Sequence, residues 1–178
     1  ELDGVPWRTL PLEAVARAGV AVGRELDRAA ARRLRRELRQ AEALAVAGRS
    51  LRTRDQSTRR LLERLERANV SPAARDEAVN TLTRVGVVDD ARFASARARA
   101  LAERGYGDSA ITADLERQGV PGELWPLALA NLQPEAERAG RVVQRRGRGP
   151  GTARFLAAKG FSQEALEAAL AADFANGP

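Results

Sequence analysis

The 178-residue chain contains no cysteine, no histidine and no methionine, and aromatic residues make up only 4% of it. Without cysteine there is no disulfide and no thiolate nucleophile, and a reducing, cytoplasmic compartment fits that absence. Without histidine or cysteine the usual zinc, iron and copper ligand sets are missing, as are Ser-His and Cys-His triads. Catalysis would have to rest on carboxylates, hydroxyls or the single lysine, Lys159. With methionine absent, Glu1 is read as a trimmed start, and no targeting signal is read from the first residues. No apolar run approaches the roughly 18 residues of a membrane span. Composition thus removes most enzyme chemistries, and, with the motifs described below, the expectation is a protein that is not an enzyme and holds neither cofactor nor metal.

What is present favours helix. Hydrophobic residues account for 44% of the chain and charged residues for 30%. Alanine is abundant, leucine and arginine follow, and β-branched clusters are short. The exception is residues 1–12, where Pro6 and Pro11 bracket Trp7-Arg8-Thr9-Leu10. That stretch reads as an extended segment running into a short helix around Leu12 to Ala18. Gly19 and Gly23 then break the chain, Asp27 can cap, and a helix is predicted over residues 28–47 with Leu34, Leu38, Ala41 and Ala45 on its apolar face. Its polar face carries Arg32, Arg33, Arg35, Arg36 and Arg39, the pattern of a solvated face.

After Gly48 three segments share one template. They read Leu61, Leu65, Asn69-Val70; Ile111, Leu115, Gly119-Val120; and Thr152, Leu156, Gly160-Phe161. Two anchors precede a helix-stopping Asn or Gly, the left-handed position of a C-cap, and an apolar residue follows at once. Farther on come Val79, Leu129 and Leu170, each preceded by alanine (Ala78, Ala128 and Ala169). Helical stretches over residues 40–47, 91–103 and 134–145 lie upstream. Pro72 and Pro121 suit first helical positions. The predicted fold is all-α: a short N-terminal extended and helical segment (1–39), then three-helix units at 40–88, 89–132 and 133–175. Units this small share surface, so a curved, elongated array is expected.

Few residues suggest chemistry. Asp89-Asp90 is the one conspicuous acidic pair; with no third carboxylate or phosphate loop nearby, it reads as the cap of a helix beginning near Ala91. Gly147-Arg148-Gly149-Pro150-Gly151 lacks the Lys-Ser/Thr ending of a P-loop and follows a helix, so it reads as a basic loop. Tyr106, in Gly105-Tyr106-Gly107, is expected to pack over its turn, although beside Arg104 it could stack on a base. Trp7 and Trp125 read as core; Trp125 shares its repeat position with Leu166 and, in the first unit, Arg75.

The positive charge, 30 Lys plus Arg against 24 Asp plus Glu, clusters. Arg52, Arg54, Arg59, Arg60, Arg64 and Arg67 surround the second helix of the first unit, partly offset by Glu63. Arg138, Arg141, Arg145, Arg146 and Arg148 have only Glu135 and Glu137 near them. Arg pairs bidentately with carboxylate or phosphate, so Arg54, Arg59, Arg60, Arg64, Arg104, Arg141, Arg145, Arg146 and Arg148 are the candidate partner-binding residues, a solvated face being the alternative. With so few aromatics, any nucleic-acid binding should be weak, phosphate-directed and salt-sensitive.

Gly86-Val87-Val88-Asp89-Asp90-Ala91-Arg92-Phe93-Ala94 resembles the G-x-x-D-D-x-x-F-A stretch of RecX, the bacterial regulator of the RecA recombinase. Gly105-Tyr106-Gly107, Ile111, Leu115 and Gly119-Val120 are similar to that family's continuation. Ser57, Leu61 and Leu65 resemble its first-unit motif, and Gly160-Phe161-Ser162 its C-terminal one. The likeness covers about residues 40–172, with a further resemblance from Leu2 to Asp27. Arg60 stands where the family usually has Glu, and Asn69 where it usually has Gly. The resemblance implies tandem three-helix units without catalytic residues. It also implies binding to RecA or its filament on DNA, with weaker ATP hydrolysis, strand exchange and repressor self-cleavage. A monomer touching several RecA protomers is the expected form; a DNA-binding protein built from helix-turn-helix-like units is the alternative.

Overall fold

The computed structural model describes residues 4, 5 and 9–171; Trp7 and residues 172–175 of the expected third unit lie outside them. Among the described residues the chain is helical from Leu12 onward. The helices are α1 (Leu12–Arg17), α2 (Arg28–Leu51), α3 (Thr58–Arg67), α4 (Pro72–Arg84), α5 (Asp90–Glu103), α6 (Asp108–Arg117), α7 (Trp125–Ala130), α8 (Glu135–Arg146), α9 (Pro150–Ala158) and α10 (Gln163–Ala171). One 3-10 turn, Gly122–Leu124, leads into α7.

Local chemistry sets the ends. The Asp27 carboxylate accepts from the Ala30 N–H at 2.6 Å and starts α2, and Asp89 accepts from the Arg92 N–H at 2.9 Å and starts α5. Asn69 (φ 57°), Gly119 (φ 74°) and Gly160 (φ 79°) stop α3, α6 and α9 in the left-handed region, as the template requires. One expectation fails: α2 does not end near Gly48 but continues to Leu51. Glycine inside a helix costs only about 1 kcal/mol. Ala47, fully buried, and Leu51, packed on the same core, hold the last turn. The 39/40 boundary therefore falls inside one continuous helix.

The chain divides into two compact units, residues 1–55 with 60–88, and residues 56–59 with 89–178. In the first, α1 and α4 both pack on α2. Ala47, Leu61, Leu65, Val79 and Val88 form its main core, and Ala43, Ala74 and Ala78 let α2 and α4 approach closely. Gln40 is buried there with Oε1 unbonded. Because an unsatisfied buried polar group costs about 1–3 kcal/mol, Gln40→Leu is expected to raise unfolding free energy by about 1 kcal/mol in a urea titration. A loss of stability would show that the amide has a partner.

The second unit holds two helix triplets, each with its own core. Ala94, Ala98, Ile111, Leu115, Val120 and Ala128 centre the α5–α7 cluster, and Ala139, Val143, Leu156, Phe161 and Ala169 the α8–α10 cluster. The predicted anchors Leu61, Leu65, Ile111, Leu115 and Leu156 are all fully buried. Trp125 lies half-buried against the α5–α7 core and donates from Nε1 to the Val120 carbonyl at 3.1 Å, a packing residue as expected.

The second unit also uses one junction twice. The Thr58 N–H donates to Asp90 at 2.8 Å while the Ser57 hydroxyl donates to the Gln118 carbonyl, just before the α6 stop. At the repeat-equivalent place the Asp108 N–H donates to Glu135 at 2.6 Å, and the Gly107 N–H donates to the Lys159 carbonyl at 2.9 Å, just before the α9 stop. Each helix start thus sits on a C-cap and is closed by a carboxylate from the first residue of another helix.

Candidate functional site

Asp89 and Asp90 each accept from a backbone N–H group: Asp89 caps α5, as the capping reading has it, and Asp90 closes the start of α3. Tyr106 packs at the edge of the α5–α7 core, with Lys159 Nζ 4.0 Å and Arg104 Cζ 5.7 Å from its ring centroid. It covers its turn, as predicted. Thr152, an expected anchor, is buried.

Arg138 departs from the expected pattern. Read in sequence as one of the exposed basic cluster, it is only 5% exposed. Its guanidinium donates from Nε to the Gln133 carbonyl at 3.0 Å, from Nη1 to the Tyr106 carbonyl at 2.8 Å and from Nη2 to the Asp108 carboxylate. It also lies over the Phe161 ring, 5.8 Å from the centroid. Arg138 is therefore a buried clamp between the start of α6 and the α8–α10 triplet. Glu135, which sequence reasoning left as a neutralising charge, accepts from the Asp108 and Ser162 N–H groups and from the Ser162 hydroxyl. Superimposing the repeats could have found it, since Asp90 and Glu135 are both first helical residues.

Asp114, a buried carboxylate, receives two bonds from Arg97 (2.7 and 3.1 Å) and one from Arg117 at 3.0 Å. The Arg97 hydrogen bond holds the Asp114 carboxyl below the usual carboxylate range, with burial opposing. A depressed carboxyl stabilises above its unfolded value, so this contribution is complete at neutral pH and fades only in acid below that range. Burial instead pushes Asp108 up, against the pull of Arg138 and with the Glu135 charge adding to the rise. These are structural pairs.

The remaining arginines define the candidate surface. Arg141, Arg145, Arg146 and Arg148 are all exposed on the last turns of α8 and the loop beyond it. Arg145 donates to the Arg141 carbonyl at 3.2 Å, and Arg146 stacks 4.2 Å above the Phe155 ring centroid. Arg141 and Arg145 border a groove of about 440 Å³ that runs past Glu103 and Gly105, next to exposed Arg104. Around α3, Arg54 and Arg64 are exposed. Arg60 pairs with Glu63 at 2.9 Å, and the Arg59 stem covers Gly119. The structure brings Arg141 and Arg145 to one groove, with Arg146 and Arg148 following on the chain; Arg104 is exposed and lies against the Tyr106 ring instead.

Sequence reasoning passed over another basic concavity. Arg32, Arg35, Arg36 and Arg39 of α2 face the first turn of α4 across a groove of about 260 Å³.

Comparison with known proteins gives one family throughout. A profile described as RecX, second three-helix domain, matches residues 89–129. A regulatory protein RecX from Xanthomonas oryzae pv. oryzae is 34% identical over 152 residues, covering 80% of this chain and 92% of that protein. One from Halorhodospira halophila is 30% identical over 137 residues, covering 71% and 85%. A crystal structure of regulatory protein RecX superposes with a TM-score of 0.80 at 20% identity over 94% of this chain and 90% of the other. RecX from Lactobacillus salivarius gives 0.66 at 16% identity over 74% and 94%. With a third of its residues shared along nearly the whole length of such a relative, and the three-helix fold in common, the chain belongs to the RecX family of regulatory proteins.

Proposed function

We propose that the chain regulates by binding, without chemistry of its own, and that its target is the RecA recombinase or the RecA filament on DNA. Binding restrains RecA, lowering ATP hydrolysis, strand exchange and the self-cleavage of repressors that the filament stimulates. The observation that carries this reading is the exposed arginine row at the end of α8, Arg141, Arg145, Arg146 and Arg148, on a helix with only two acids, of which Glu135 is consumed internally and Glu137 is exposed in the first turn. A nucleoprotein filament presents phosphates and acidic side chains, and arginine binds either in a forked geometry. The triplet division at 40–88, 89–132 and 133–175 belongs to the same reading, supported by a separate apolar core in each triplet. The protein acts as a monomer, in the compartment where RecA meets DNA. A regulator needs only to prefer one filament state over another.

The test is a RecA ATPase titration with wild-type protein and with Arg145→Ser/Arg146→Ser/Arg148→Ser. Melting should change little, because exposed charges contribute little and the Arg146–Phe155 stack contributes only about 0.5–1 kcal/mol. Inhibition should weaken at least several-fold, by about tenfold if two forked contacts are lost. A folded triple variant that inhibits at wild-type concentrations moves the contact to Arg54, Arg59, Arg60 and Arg64.

A further inference from the structure

Arg32, Arg35, Arg36 and Arg39 recur at the three- and four-residue spacing that puts side chains on one helix face. At a 1.5 Å rise the row extends roughly 10 Å along α2. All four are exposed, and together with Ser71, Ala73 and Ala74 they line one groove. Arg36 reaches the Glu37 carboxylate at 3.4 Å, while among the described residues Arg32, Arg35 and Arg39 have no ion pair. The opposite wall carries no countercharge: the first turn of α4 has no acidic residue, and the hydroxyl of its N-cap, Ser71, makes no capping bond. Four arginine side chains therefore line one concavity, with the Glu37 carboxylate engaged by Arg36; Arg35 and Arg39 also border a neighbouring groove beside Glu42.

We infer that this groove binds the phosphodiester backbone of a nucleic-acid strand, through Arg32, Arg35 and Arg39. A row of cations matches a polymer charged at every step; one nucleic-acid strand carries a charge per roughly 3.4 Å of axis, about three along the row. The walls offer no aromatic side chain and no carboxylate, so neither base stacking nor recognition of a base amino group is available. Binding here is sequence-independent and steeply salt-dependent. The groove belongs to the first compact unit and the α8 arginines to the second, and the inference stands without the RecA reading.

The test uses the full chain without RecA. A fluorescent mixed-sequence single strand of about 20 nucleotides is titrated by anisotropy between roughly 50 and 200 mM salt. Three lost phosphate contacts should flatten the log–log salt slope of Arg32→Ser/Arg35→Ser/Arg39→Ser by about 2, at about 0.7 per phosphate on single strands. The Arg→Lys triple variant should keep most of the slope, since lysine retains the charge. Single Arg→Gln variants, each expected to lose about 0.7, serve if the serine triple variant does not fold. An unchanged slope in folded variants overturns the inference, as does a wild-type protein that ignores the strand at low salt. Tighter binding to a polyglutamate peptide than to the oligonucleotide overturns it too, in favour of an acidic protein partner.

Discussion

Arg138→Ala should lower the unfolding free energy by about 3–5 kcal/mol, the range for removing one partner of a buried charged pair. The side chain satisfies two carbonyls and a carboxylate, each from a different nitrogen of the fork. The exposed end of α6, the Asp108 carboxyl and the Tyr106 carbonyl would all lose their closure together. Lysine holds one point charge where arginine has three donors engaged, so Arg138→Lys should recover only part of the loss. Urea denaturation read by circular dichroism checks both variants, and a loss below about 1 kcal/mol would place Arg138 among surface arginines after all.

Gly107→Ala should be comparably severe, upwards of about 3 kcal/mol, at the high end of overpacking effects. A Cβ there would lie 2.3 Å from the carbonyl carbon and oxygen of Gly160 and from the Phe161 nitrogen. Those atoms are backbone and cannot rotate aside, so the helix start must lift off the C-cap beneath it. Its N–H bond to the Lys159 carbonyl and the Ser109 N–H bond to the Gly160 carbonyl go with it. The control is Gly48→Ala. Gly48 lies inside α2 with open space around its missing side chain, and alanine there should add about 0.5–1 kcal/mol. Equal melting temperatures for the two variants would show that the contact at Gly107 is not close-packed.

The anchors and stops were legible in sequence because both are decided locally. Leu61, Ile111 and Leu156 are buried by the period of their own helices, and Asn69, Gly119 and Gly160 adopt the conformation that ends a helix wherever it is placed. The caps at Asp27 and Asp89 belong to the same class. Of the candidate site, the exposure of the α8 arginines was legible, since they end a helix and enter a glycine-rich loop. Arg138 was not. It differs from Arg141 and Arg145 only in facing Tyr106 and Asp108, about 30 residues away in sequence. The α2 groove was hidden for the same reason: a row of arginines becomes a concavity only when α4 packs beside it, through alanines that carry no charge signal.

The junction described at Thr58 and again at Asp108 is not repeated at the start of α9. There the first helical residue is Pro150, which has no N–H to donate, whereas Thr58 and Asp108 each give theirs to a carboxylate. An acid brought to α9 in the manner of Asp90 or Glu135 would find no donor at that position, so the proline makes this a helix start that the seam chemistry of α3 and α6 does not fit.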